Sequence, residues 1–238
     1  MKNYKKSFQA RRYRLVAFLI VILLLAASCS QYKLLKSFKQ HHKEGDYAWI
    51  ANQSFECNKS NETCGQFHLI KGNACYHMAK QSDSLRYYEC AVHHLENGIN
   101  MTSEWTNANE RDQYYENLCE SLRNLQDMQK DAKGNATLVK FVEWAEKYLV
   151  TAEKEYEPVF FYAKAKLRSM EPGLLIVDDD TRKTFCDSLQ DVRSLVARTI
   201  KRGEADPDSE MWSSQKPYFN ELTTDLDLMA KAAGCQSD

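Results

Sequence analysis

Eight glycines and four prolines are all that interrupt 238 residues, and this scarcity constrains the fold more than any other feature. Glycine and proline are the residues that stop helices and turn strands. An all-β fold of many short strands needs a turn about every ten residues, and this chain lacks the material for that. Long stretches are left free to be helical. Apolar residues make up 43% of the chain, enough for a proper core and too many for global disorder. The length suits one or two ordinary domains.

Apolar periodicity predicts where the helices lie. The first spans Tyr32 to Lys43, with Gly45 and Asp46 as stop and restart, and a short helix from Tyr47 to Phe55 follows. Phe67, Ile70, Ala74 and Met78 mark a helix from Gly65 to Lys80. Leu85, Tyr88, Ala91, Val92 and Leu95 mark the next, from Ser84 to Glu96, ended by Asn97-Gly98. A long helix from Ser103 to Ala132 is expected to stop at Lys133-Gly134. Others run from Ala136 to Tyr156, from Pro158 to Met170, and from Arg182 to Lys201 with Asp180 or Thr181 as cap and Gly203 as stop. Residues 174–177 read as a buried connector, 204–216 as a polar linker, and Pro217 to Ala233 as the last helix. The expected fold class is all-α: antiparallel helix hairpins in series, as an α-solenoid or a helical bundle.

The first residues read as an address. Lys2, Lys5, Lys6, Arg11, Arg12 and Arg14 precede an apolar run from Leu15 to Ala27. As a helix that run is about 20 Å long, short of the roughly 30 Å hydrocarbon core, so it suits a signal peptide better than a membrane span. It ends in Leu25-Ala26-Ala27-Ser28-Cys29, which resembles the lipobox of bacterial lipoproteins. Ala26 stands where leucine is commonest in that family. The resemblance implies diacylglycerol transfer to the Cys29 thiol, cleavage after Ser28, and stable anchoring by acyl chains such as palmitate. Ser30, rather than Asp, implies the outer membrane, facing the periplasm. Arg11-Arg12 has poor flanks for a twin-arginine signal, so the general export route is expected. Asn52, Asn58, Asn61, Asn100 and Asn135 begin Asn-X-Ser/Thr triplets, which beside a lipobox read as chance. Removing residues 1–28 leaves 26 basic against 33 acidic side chains, and no long basic patch remains for nucleic acid to bind.

Phe67 to Ile99 resembles one tetratricopeptide repeat, a helix-turn-helix of about 34 residues with small residues where its helices touch. Gly72 falls at the small position of the first helix, and Tyr88 and Ala91 at the aromatic and small positions of the second. Cys75 and Ser84 depart from the usual Tyr and Ala, and no proline closes the repeat. Residues 44–47 resemble the turn of an earlier repeat, and 160–165 the first helix of a later one. The resemblance implies a groove that binds peptides or proteins. The chain then divides into a signal peptide (1–28), a tetratricopeptide-like helical domain (29–203), and a linker with a C-terminal helix packing on that domain (204–238).

With Cys29 lipidated, seven cysteines remain, and an oxidising compartment makes disulfides the default. The expected pairs are Cys57 with Cys64, which closes a polar loop, and Cys75 with Cys90, on adjacent helices. Cys119, Cys186 and Cys235 are an odd remainder, of which one is free or pairs between chains. All six histidines lie between His41 and His94. Cys75, His77, Cys90 and His93 are the one set with metal-ligand spacing, although no zinc-finger pattern fits them. Asp178-Asp179-Asp180 is a helix start before it is a cation site. Phosphate loops, nucleophile elbows and His-Glu-X-X-His motifs are absent. A non-enzymatic scaffold is expected, with no cofactor, anchored to the membrane and binding proteins of an envelope complex. The alternative is an accessory lipoprotein that binds a small ligand or metal.

Overall fold

A computed structural model describes residues 32–57, 61–105, 107–129, 132–152, 155–171 and 178–235. Among them nine helices and no strands are found. They are α1 (32–44), α2 (Tyr47–Asn52), α3 (Glu62–Ser82), α4 (Leu85–Met101), α5 (Ala108–Met128), α6 (Ala132–Thr151), α7 (Glu157–Met170), α8 (Asp179–Glu204) and α9 (Glu210–Ala233). The all-α reading therefore holds. Cys29 and the connector 174–177 lie outside the described residues.

Short polar side chains start several of these helices by accepting the first free N–H groups. Asp46 accepts from Trp49 N at 3.2 Å, Asn61 from Cys64 N at 2.9 Å, and Asp178 from Thr181 N at 2.7 Å. Pro158 sits in the first turn of α7, where its missing N–H has no consequence. The cap of α8 is Asp178, not Asp180 or Thr181, so all three aspartates belong to the helix start. Asp179 also pairs with Arg182 at 3.0 Å.

Several glycines read as stops turn out to be contact points. The helix α4 runs on to Met101, and Gly98 lies buried inside it. A Cβ at Gly98 would sit 2.7 Å from Leu69 Cγ. One at Gly72 would sit 2.7 Å from Leu95 Cγ and 2.8 Å from Leu95 N. Gly72 and Gly98 thus let α3 and α4 cross almost backbone to backbone. Gly134 lies within α6 against the Gln129 carbonyl, and Gly203 within α8 against the Trp212 indole.

Trp212 also corrects the start of α9. The expected linker 204–216 shrinks to residues 205–209, and Pro217 lies inside the helix. Trp212 is buried against Gly203, with Tyr156 at 5.3 Å and Phe219 at 5.9 Å between ring centres. Burial of that indole, on the order of 2–3 kcal/mol, outweighs the polarity of its neighbours. Conversely, α5 starts at Ala108, capped by Asn107, rather than at Ser103, which leaves Trp105 outside the helix against Tyr114.

Neighbouring helices pack in chain order, and α9 packs on both α7 and α8. The alternate helices α3, α5, α7 and α9 also touch in sequence, whereas α4, α6 and α8 make no comparable backbone approach among the described residues. The odd helices therefore form the closer-spaced layer. A main core runs from α3 to α9. A smaller one, with Leu35, Phe38, Ile50, Phe67, Ile70 and Ala74, joins α1 and α2 to the far side of α3.

Three cysteine pairs stand at disulfide distance. Cα–Cα separations are 5.7 Å for Cys57–Cys64, 5.8 Å for Cys75–Cys90 and 5.5 Å for Cys186–Cys235. The first two are the expected pairs. The odd remainder resolves into an intrachain pair tying α8 to the end of α9 and one buried thiol, Cys119.

Gly72→Ala is expected to destabilise the chain by about 1–3 kcal/mol, because overpacking against Leu95 exceeds the gain of roughly 1 kcal/mol in helix propensity. Urea denaturation would show it as a lower midpoint. The double change Cys186→Ser, Cys235→Ser should remove about 4 kcal/mol by the loop-entropy relation. Calorimetry would read this as a lower Tm.

Candidate functional site: a polar groove along α3, α5, α7 and α9

Because successive helices run antiparallel, α3, α5, α7 and α9 run parallel, and the register of their contacts rises together along all four. Their contact face carries an unbroken series of polar ties. Tyr76 OH on α3 donates to Glu120 on α5. Lys80 Nζ meets the same carboxylate at 3.2 Å, and Arg123 flanks it at 3.8 Å. Arg168 on α7 pairs with Asp127 at 2.8 Å and donates to Gln126. Gln215 on α9 donates to Glu157 on α7 at 2.7 Å, and Lys164 bridges Glu221 and Asp225 at 2.9 and 2.7 Å.

Midway along this face opens a cavity of about 230 Å³, lined by Lys80, Glu116, Glu120, Glu157, Phe160 and Tyr218 among others. Glu116 accepts no hydrogen bond and forms no ion pair among the described residues. Burial, then the charges of Glu157 and Glu120, push its carboxyl up to about 7, with Lys80 opposing. Near neutral pH this side chain is therefore part carboxylate and part neutral donor. A larger cleft of about 570 Å³ separates the C-terminal halves of α7 and α9, where Leu167, Leu228 and Met229 face Lys164 and Arg168.

Such an arrangement can bind, by alternating charges, donors and aromatic edges. Cys119 is buried one turn from Glu116, and burial plus that carboxylate push its thiol up, which makes it unreactive. The residues of the groove escaped the sequence reading. The one available signal was the like-charge pair Glu116–Glu120 at i,i+4, a spacing that is unfavourable on an isolated helix.

The sequence-derived metal set does not assemble. Cys75 and Cys90 face each other as a disulfide pair, and each thus loses its thiolate. His77 stacks on Tyr47, while His93 lies beside His68 and His94. Among the described residues no group of three or more His, Cys, Asp or Glu side chains is placed to hold a metal ion. Nor, among them, is any helix long and apolar enough to cross a membrane.

The raised Glu116 has a definite pH signature. The folded chain binds more protons at this site than the unfolded chain between about pH 4.5 and 7, so its contribution to stability falls as pH rises through that window. Glu116→Gln should therefore stabilise the chain by about 2–3 kcal/mol at pH 8 and by little below pH 4. Urea midpoints of both forms across that range would measure the difference, and parallel curves would refute it.

Compared with known proteins, the chain matches no protein-family model, no curated protein and no solved structure.

Proposed function

We propose that the chain is a lipid-anchored helical scaffold of a bacterial cell envelope. Cys29 carries the lipid once residues 1–28 are removed. The helical unit faces the periplasm from the outer membrane. There the groove along α3, α5, α7 and α9 receives a segment of a protein partner, and the chain binds rather than catalyses.

The observation that supports this reading most is the groove itself. Four parallel helices present a continuous row of polar and aromatic side chains on rigid elements, a surface suited to an extended partner. Gly72, a small position of the tetratricopeptide resemblance, lies buried where α3 meets α4, and Ala91, another, is fully buried on α4. Three cysteine pairs at bonding distance suit an oxidising compartment. An acidic exterior suits protein partners better than nucleic acid.

Two measurements test the two halves of the proposal. Cys29→Ser should abolish incorporation of labelled palmitate and leave the signal peptide uncleaved; unchanged labelling would sink the anchor. A photo-crosslinker at Tyr218, which is half exposed in the groove, should give a defined adduct in envelopes. The same group at Val150, exposed on α6, should not. Identical adducts from both positions, or none, would sink the groove.

A further inference from the structure

The six histidines gather where the α1–α2 hairpin meets the α3–α4 hairpin. Two contacts fasten this junction. At one end Phe55, just beyond α2, stacks on Phe67 at 5.0 Å and meets the rings of His68 at 5.1 Å and His94 at 5.7 Å. The Nδ1 atoms of His68 on α3 and His94 on α4 are 2.9 Å apart. Lys71 holds the same segment, with Nζ donating to the Gln53 carbonyl and lying 5.7 Å from the Phe55 ring centre. At the other end Tyr47 on α2 stacks on His77 of α3, with ring centres 4.1 Å apart and planes 11° apart.

A hydrogen bond between two imidazole nitrogens needs one of them unprotonated, so the His68–His94 contact fails when both rings are charged. The surroundings make charging costly. Burial, then Lys71, His68 and His93, hold His94 down to about 3. Burial, His93 and Lys71 lower His68, and burial, His42 and Lys80 lower His77. The charged groups facing the junction come from every element around it. From α3 come Lys71 and Lys80, from α1 comes His42, and within the hairpin His41 pairs with Asp46 at 3.0 Å. From α4 comes His93, flanked by Glu89 and by Glu96, which Lys140 and Trp144 already engage. Glu56, beside Phe55, is exposed. Besides burial, the charges that lower His68, His77 and His94 are cationic: Lys71, Lys80 and the neighbouring histidines.

We propose that the α1–α2 hairpin is an acid-released clamp: neutral His68, His94 and His77 hold Phe55 and Tyr47 in place, and their protonation frees the hairpin while α3–α9 stay folded. The two cores make the separation possible, because the small core around Phe38 and Ile50 is distinct from the main one, which α2 touches through Ala51. The Cys57–Cys64 pair sits at the foot of the hairpin. It keeps the freed hairpin at high effective concentration, so closure on return to neutral pH is fast and intramolecular.

The sign follows from proton binding. The closed form takes up fewer protons than the open form below about pH 6.5, so closure is complete at neutral pH and is lost as pH falls. At pH 5.5 each of the three rings favours the open form to the extent that opening returns it to water, His94 together with His68 and His77.

Hydrogen exchange of the full chain at about pH 7.4 and pH 5.5, corrected for intrinsic amide chemistry, tests the clamp. Residues 32–52 should lose several-fold in protection at the lower pH, while α5 to α9 change by less than about twofold. The double variant His68→Gln, His94→Gln should retain most of that protection. Unchanged protection of α2, or an equal loss across all the helices, overturns the proposal. Should the double variant not fold, ring-carbon NMR of the wild-type chain decides instead. His94 neutral down to the pH at which α2 opens supports the clamp, and His94 titrating near its ordinary value with α2 still closed overturns it.

Discussion

The contact between α3 and α4 is the constraint on which the rest of the structure depends. Gly72 against Leu95 and Gly98 against Leu69 bring two backbones to a spacing that any side chain would prevent. Cys75 and Cys90 lie within the same crossing. Once this pair is locked, α3 has two further faces. One takes α1 and α2 through Phe67, Ile70 and Ala74, and the other takes α5 through Tyr76 and Lys80. A helix buried on both sides shows little amphipathic pattern of its own, because no side of it is left for solvent.

The groove follows from the same order. With each helix antiparallel to the last, alternate helices become parallel neighbours, and polar positions that are far apart in sequence line up. Glu116 and Glu157 are 41 positions apart in the chain, yet both line one cavity, where the charge of Glu157 bears on Glu116. Their proximity is unfavourable in isolation. It is tolerated because Lys80 and Arg123 offset the charge, and because Glu116 can take up a proton.

Much of this fold was legible from periodicity alone. Leu118, Leu122 and Leu125, or Phe185, Leu189, Val192 and Val196, are buried as their spacing requires. Glycine misled the reading of helix ends, since Gly98, Gly134 and Gly203 serve close approach rather than termination. Spacing cannot tell these roles apart, because the partner of each glycine lies on another element. Polarity likewise hid the first turns of α9 until Trp212 found Gly203. The local pairs Cys57–Cys64 and Cys75–Cys90 were readable from loop length and adjacent helices, while Cys186–Cys235 needed the packing of α8 on α9. The groove was illegible for the same reason: its chemistry resides in pairs of helices, and each helix alone shows only a solvated face.

The Cys57–Cys64 pair has a mechanical consequence. A chain pulled from its N-terminal end would yield first at the hairpin held by Phe55 and Tyr47, since those ring contacts resist far less than the main core. Extension would then run from residue 32 to residue 57, where the covalent bridge passes the load directly to Cys64 in the first turn of α3. Those residues provide on the order of 90 Å of slack at about 3.5 Å each. The hairpin is thus a built-in length of give, and the bridge fixes where it ends: beyond it the load falls on α3, whose pairing with α4 carries the main core.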